Sequence, residues 1–213
     1  LFSHPVGGWK VGRINAPLDA HYGANRLVGP IFTHQIVEAS GATPDMPILP
    51  GFAAAEAELM LLVASTPPAD MTIEAAADYV AQVRFGLELA SSPFTGINEG
   101  GPAVTASDFG NNHGLVLGPV IADWRERDLM HAPVSLTIDG VEQGANTLSN
   151  MLDGPFGAFV FLNALLHQRG RPLQAGDWIS SGAITGVHRI AAGQVAEATF
   201  DGGFTVAMRA VAS

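Results

Sequence analysis

The stretch FAAAEAELMLLV at positions 52–63 limits the folds open to this chain more than any other. It is the longest apolar candidate in the sequence, and Glu56 and Glu58 interrupt it. A membrane-spanning helix needs about 18 or more consecutive apolar residues, and no run approaches that length. The segment therefore belongs inside a globular core, with two carboxylates to accommodate there. If it is a strand, positions two apart share a face, and Glu56 and Glu58 converge beside Met60 and Leu62. If it is a helix, the pair points to nearly opposite sides and cannot share a ligand. Local propensity favours helix, because Ala, Glu, Leu and Met are good helix formers. Pattern alone leaves both open. On a strand, two carboxylates in apolar surroundings are expensive unless a cation or protons neutralise them.

The 213 residues suffice for one domain with a sizeable core. A content of 47% hydrophobic and 14% charged residues is that of a folded chain, not a disordered one. The formal net charge of −10 and the lack of Lys/Arg runs argue against a nucleic-acid partner. Zero cysteines exclude disulfides, thiolate catalysis and cysteine-ligated metal. No signal peptide is in view, so a cytoplasmic protein is expected, although a chain that starts at Leu1 says nothing of targeting from that end.

Along the chain, residues 6–14 read as a glycine-broken strand, followed by a loop through Pro17, Asp19, His21 and Asn25. A second apolar piece covers 28–36. Residues 41–51 carry Pro44, Pro47 and Pro50 and are expected to form an extended loop. Thr72 is a candidate N-cap, with Glu74 in the first turn of a helix expected to reach about Val83. Residues 91–101 read as loop. Val134, Leu136 and Ile138 alternate with Ser135 and Thr137 before Asp139-Gly140, a hairpin signal. Pro155 opens a helix that Gly170 and Pro172 stop. Residues 177–181, 195–200 and 204–211 read as strands. Strands dominate and βαβ alternation is missing, which predicts an α+β or mostly-β domain and not a Rossmann fold.

Two features carry chemistry. Lys10 is the only lysine; the other basic residues are arginines, which cannot supply a titratable amine. A lone lysine between glycines and Trp9 is a candidate for catalysis or a surface residue, in equal measure. Glu88, in Gly86-Leu87-Glu88-Leu89-Ala90, repeats the pattern of one acid in an apolar stretch. With Glu56 and Glu58 it makes an oxygen-only donor set suited to a hard cation, Mg²⁺ or Mn²⁺. On spacing alone the simpler alternative, solvent-facing glutamates on amphipathic helices, is favoured.

The ordered set of motifs weighs the other way. Gly8-Trp9-Lys10-Val11-Gly12, Glu56-Ala57-Glu58-Leu59, Leu87-Glu88-Leu89-Ala90, Thr105-Ala106-Ser107-Asp108 with Leu115-Val116-Leu117-Gly118, and Gly176-Asp177-Trp178-Ile179 with Ser181-Gly182-Ala183-Ile184-Thr185-Gly186 follow one another over nearly the whole chain. Together they resemble the fumarylacetoacetate hydrolase superfamily, in its branch of 2-keto-4-pentenoate hydratases and 4-oxalocrotonate decarboxylases. The resemblance implies an α+β fold, a mixed β-sandwich roll with few helices and a pocket at its mouth. It implies one Mg²⁺ or Mn²⁺ on Glu56, Glu58 and Glu88, with Lys10 as the active-site lysine and Gly182 and Thr185 in the glycine-rich segment lining the substrate site. It further implies that the metal chelates a small 2-oxo acid and stabilises an enolate. Lys10 would then serve as general acid/base or as electrostatic partner.

Several positions depart from the pattern. Hydratases of this branch carry an aspartate ahead of the second glycine turn, where Leu27-Val28 precede Gly29-Pro30 here. Relatives usually have a helical stretch before the lysine motif, whereas nine residues precede it here. The expectation is thus a single catalytic domain over 1–213 with that helical segment missing. His21 lies where hydrolase branches place a water-activating histidine, but Ala24 stands where the paired glutamate belongs, so His21 reads as an ordinary loop residue. His113 and His188 lie beside the motifs and are expected at the pocket edge; His4, His34, His131 and His167 carry no signal.

The expected function is a divalent-metal-dependent lyase, a hydratase or decarboxylase, acting on a small 2-oxo acid such as 2-hydroxypenta-2,4-dienoate. An acylpyruvate- or fumarylpyruvate-type C–C hydrolase is the alternative, followed by a catalytically inactive metal-binding partner subunit. A Schiff-base role for Lys10 is a further option. No nucleic acid or membrane is expected as partner, and the apolar composition favours a homo-oligomer.

Overall fold

A computed structural model describes residues 4–39 and 41–213. Thirteen strands occur among them: β1 (Val6–Arg13), β2 (Arg26–Phe32), β3 (Ile36–Glu38), β4 (Asp45–Ile48), β5 (Phe52–Val63), β6 (Val80–Ser92), β7 (Asn112–Val120), β8 (Pro133–Ile138), β9 (Val141–Thr147), β10 (Trp178–Ser180), β11 (His188–Arg189), β12 (Val195–Phe200) and β13 (Phe204–Ala212). The helices are α1 (Leu18–Tyr22), α2 (Ile73–Ala76), α3 (Pro102–Ser107) and α4 (Gly154–Gln168). One sheet runs β2-β1-β10-β5-β6-β7-β3, with β11 added to β5; the other runs β4-β13-β12-β8-β9. Parallel pairs (β1 with β10, β3 with β7, β4 with β13) occur among antiparallel ones. This is the mixed, strand-dominated α+β roll expected from the motifs. No helix among the described residues is long and apolar enough to cross a membrane.

The segment 52–63 is a strand despite its helical propensity. Twelve residues of β5 pair with β6 on one side and with β10 and β11 on the other, a tertiary context that overrides local preference. Ala57, Leu59 and Leu61 face the main core with Val83, Phe85, Leu87 and Leu89 of β6. That core reaches the second sheet, where Phe85 stacks on Phe200 at 3.8 Å between ring centroids.

Three expectations are corrected. The helix from Thr72 does not reach Val83. Thr72 does cap it, accepting from the Ala75 N–H, but α2 ends at Ala76 and β6 begins at Val80. Val80, Val83 and Phe85 are buried, and the sheet offers their β-favouring side chains a partner strand along their whole length. Residues 41–51 are not all loop, because β4 pairs with β13 at the sheet edge, where Pro47 needs no N–H to donate. The loop after β1 contains the short α1. The Asp139-Gly140 turn is as expected, with φ of 50° and 76°, the left-handed pair that joins β8 to β9.

Candidate active site

Register places the site. Lys10 of β1 lies opposite Ser180 of β10, which lies opposite Met60 of β5. Cross-strand partners share a face, and so do positions two apart, so Lys10, Ser180, Met60, Glu58 and Glu56 all project to one side. Glu56 is directly opposite Glu88 on β6, and Glu58 is opposite Gly86. Oxygens of Glu56, Glu58 and Glu88 lie within 4.8 Å of one another, all three residues being buried. The strand alternative read in the sequence is thus the actual one, and the carboxylates converge.

Each acid is held differently. Glu58 Oε2 accepts from the Ser180 hydroxyl and from the Gly182 N–H at 2.9 Å, while its Oε1 is buried with no protein partner. Glu88 Oε1 accepts from Asn112 Nδ2 at 3.0 Å and faces Lys10 Nζ at 3.3 Å. Burial raises the Glu56 carboxyl to about 7; Lys10 opposes the shift and Glu88 adds to it. Burial also pushes Glu58 well above the usual carboxylate range, reinforced by the Glu88 and Glu56 charges and opposed by Lys10 and Ser180. For Lys10, burial favours the neutral amine, but Glu88, Glu56 and Glu58 outweigh it and the net shift is upward.

Three acids around one ammonium leave the cluster short of positive charge. A small dication with a preference for oxygen would meet the unpaired Glu58 oxygen and relieve the mutual repulsion. The donor set therefore fits a hard divalent metal.

A cavity of about 670 Å³ opens above the cluster. Lys10 and Glu56 line it, with Gly182, Thr185, Leu27 and Asn111 among the walls. A tight turn at Phe109–Asn111, with φ positive at all three residues, presses on the lysine from the side. A Cβ on Gly110 would lie 2.7 Å from Lys10 Cδ, and one on Gly29 would lie 1.8 Å from the Phe109 carbonyl oxygen. Glycine at both positions lets the turn and β2 close around the lysine stem. Leu27 packs across Gly12 beside Lys10 Nζ: a Cβ on Gly12 would touch both.

Gly182 and Thr185, expected at the substrate site, are in the cavity wall, and Gly182 also binds Glu58 through its N–H. His188 contacts the Thr185 carbonyl and hydroxyl at 3.0 and 3.2 Å, just outside the lining. His113 is half-buried and away from the lining, its pKa lowered by burial, raised in part by Asp108 and lowered further by His34. His21 is exposed on α1 and does not reach the cavity. Reading the sequence missed Ser180 and Asn112, which orient Glu58 and Glu88, and Arg26, a buried cation in the cavity wall. The serine falls one residue before the quoted Ser181-Gly182 motif; nothing local marks the other two.

Fold and site together define a β-roll protein with a cavity over a buried carboxylate centre. The chain belongs to the fumarylacetoacetate hydrolase family: the sequence model described as fumarylacetoacetate (FAA) hydrolase C-terminal matches residues 33–210. Glu56, Glu58 and Glu88 lie inside the match and Lys10 outside it. No curated protein matches in sequence. Among solved structures, 4-oxalocrotonate decarboxylase from Pseudomonas putida G7, complexed with magnesium and adipate, has a TM-score of 0.84 at 19% identity, covering 98% of this chain and 79% of the other. Fumarylpyruvate hydrolase from Pseudomonas aeruginosa, in complex with Mn²⁺ and pyruvate, gives 0.74 at 19% identity over 99% and 91%. The 5-carboxymethyl-2-hydroxymuconate delta-isomerase from Mycobacterium smegmatis gives 0.72 at 18% over 98% and 81%. At such identities these neighbours show the fold and not the activity.

Proposed function

We propose that this chain is a divalent-metal-dependent lyase acting on a small 2-oxo acid, with Glu56, Glu58 and Glu88 as the ligands of Mg²⁺ or Mn²⁺. The observation that carries the reading is the convergence of three buried carboxylates, one with an unpaired oxygen, beneath a cavity that Lys10 also lines. The neighbours solved with magnesium and with Mn²⁺ support it. When bound, the metal would supply Lewis-acid polarisation of the carboxylate and keto oxygens of the substrate.

The chain's own residues divide the remaining work. Ser180, Gly182 and Asn112 fix the rotamers of Glu58 and Glu88, so that these carboxylates are organised before any ligand arrives. Lys10 is an ammonium in this field, which suits it to stabilise developing negative charge or to deliver a proton. The same field opposes Schiff-base chemistry, which needs the neutral amine. Gly182 and Thr185 form the wall against which the substrate backbone rests. Leu27, where an acid would be needed beside Lys10 to activate water, supports decarboxylation over hydration of 2-hydroxypenta-2,4-dienoate-like substrates. The exposed His21 and the alanine at position 24 give no support to a C–C hydrolase. We read residues 1–213 as one catalytic domain, acting as a homo-oligomer in the cytoplasm, with the apolar composition behind the first part of that expectation.

The test is a product assay with 2-hydroxypenta-2,4-dienoate, its dicarboxylate relatives and acylpyruvates, with Mg²⁺ and with EDTA. Metal-dependent water addition or CO₂ release from a 2-oxo acid is expected. Cleavage of acylpyruvates alone would replace the lyase by a hydrolase. Metal binding without consumption of any 2-oxo acid would make the chain an inactive partner subunit.

A further inference from the structure

The wall segment that carries Thr185 is longer than the strand beside it requires. The Ile184 N–H donates to the Ala57 carbonyl at 2.9 Å, and four residues later His188 pairs with Ala55. Over that interval β5 advances only two residues, so residues 185–187 arch away from it, with Gly186 at a φ of 104°. The first foot of the arch is fixed at Ala57, between Glu56 and Glu58. Its backbone there stands roughly one strand spacing, about 5 Å, from β5. Thr185 therefore lies beside the carboxylate centre and not at the far end of the cavity.

His188 ties the two feet together. Its Nε2 lies 3.0 Å from the Thr185 carbonyl oxygen and 3.2 Å from the Thr185 hydroxyl. It does so from behind the wall. Cross-strand partners share a face, and Ala55 belongs to the main core, on the side of β5 away from Glu56. There β9 closes over the ring. A Cβ on Gly144 would lie 2.9 Å from the Thr185 carbonyl oxygen and 3.0 Å from His188 Cε1.

The carbonyl settles which ring nitrogen carries hydrogen. A carbonyl oxygen only accepts, so the Nε2 that meets it at 3.0 Å must be the donor. The same N–H reaches Thr185 Oγ1, which accepts from it as well. The Thr185 proton is thereby turned away from the histidine, and the hydroxyl has no other hydrogen-bond partner among the described residues. Thr185 lines the cavity, so that O–H is a donor for whatever lies there. A ring with the opposite tautomer would take the proton for itself and leave the cavity an acceptor.

We propose that His188 is a positioning residue that commits the Thr185 hydroxyl to donate to a carboxylate or keto oxygen of the bound 2-oxo acid. This rests on the 2-oxo-acid reading above and adds how the wall beside the carboxylate centre recognises such a substrate. The match is one of sign. Every oxygen of an ionised 2-oxo acid is an acceptor, and the histidine leaves Thr185 able only to donate to it.

Calorimetry of pyruvate binding to the Mg²⁺-loaded protein tests this in a double-variant cycle. Thr185→Val should weaken binding about tenfold, as loss of a hydrogen bond to a charged oxygen implies. His188→Leu should weaken it about threefold or more in the wild type, but by less than about 1.5-fold in the Thr185→Val background. His188→Gln, whose amide offers an N–H in the same place, should bind within about twofold of the wild type. A merely structural histidine would weaken binding equally in both backgrounds; that result, or no loss in His188→Leu, overturns the proposal. Where His188→Leu fails to fold, long-range proton–nitrogen NMR of the wild-type imidazoles decides. A ring protonated at Nε2 that is missing from the His188→Gln spectrum is expected, and a His188 Nε2 without hydrogen overturns the proposal. Pyruvate binding that ignores Thr185→Val refutes the wall contact alone. If the wild type does not bind pyruvate, the 2-oxo-acid reading fails and the proposal with it.

Discussion

With divalent metal withheld, the stability of this protein is expected to fall as pH rises from 5 to 8, the reverse of the usual behaviour of carboxylates. The cause is Glu56, whose carboxyl is raised from 4.5 to about 7, chiefly by burial. A raised acid holds its proton longer when folded than when unfolded. Between those two values the native state binds more protons, so stability is full below the unfolded value and is lost as pH climbs through the folded one. Raising the carboxyl from 4.5 to about 7 corresponds to about 3 kcal/mol, at about 1.36 kcal/mol for each tenfold change in proton affinity. Glu58 shifts in the same direction and adds to the loss. His113 opposes it: burial lowers its pKa, so the folded state favours the neutral ring and gains as pH rises.

The assay is urea denaturation in EDTA at pH 5 and pH 8, for the wild type and Glu56→Gln. The difference between the two proteins isolates Glu56 from His113 and from the general surface charge. The wild type should lose about 2–3 kcal/mol more than Glu56→Gln across this range, the part of the full effect that lies between pH 5 and pH 8. Added Mg²⁺ should restore the wild type more at pH 8 than at pH 5, because at low pH the ion must displace a proton. A wild type and Glu56→Gln with parallel pH dependence would refute the reasoning, since it would mean that the carboxylate ionises freely inside the fold.

Three further outcomes follow from the geometry. Lys10→Met should lower kcat by about two orders of magnitude or more while metal affinity, measured by calorimetry, is kept or improved, because the lysine competes with the cation for Glu88. Gly29→Ala should destabilise the protein by about 3 kcal/mol or more in thermal melts, since its Cβ would sit 1.8 Å from a backbone oxygen that only a shift of the whole turn at Phe109 can move; an unchanged melting temperature would show that the turn yields. Ser180→Ala should cost about 1–2 kcal/mol in the metal-free protein and weaken metal binding, because Glu58 loses the hydroxyl that orients it.

What was legible in the sequence depended on parity. Once 52–63 is a strand, the two-residue spacing of Glu56 and Glu58 puts them on one face without further information. Whether it is a strand was not legible, because Ala, Leu, Met and Glu favour helix, and β10, whose pairing helps decide the question, arrives more than a hundred residues later. The same distance hid the partners. Ser180 is 122 residues from Glu58, and Lys10 meets Glu88 only because β1, β10, β5 and β6 are successive neighbours in one sheet. The overextended helix after Thr72 failed for the complementary reason: a good cap and three alanines start a helix, but Val80, Val83 and Phe85 gain more from burial against β5 than another turn would supply. Arg26 follows the same logic at the cavity. Its neighbours in sequence, Asn25 and Leu27, say nothing of burial; the cover comes from Leu152 and Phe161 of the α4 region. A cation covered by an element so distant in sequence is a feature that only the assembled fold creates.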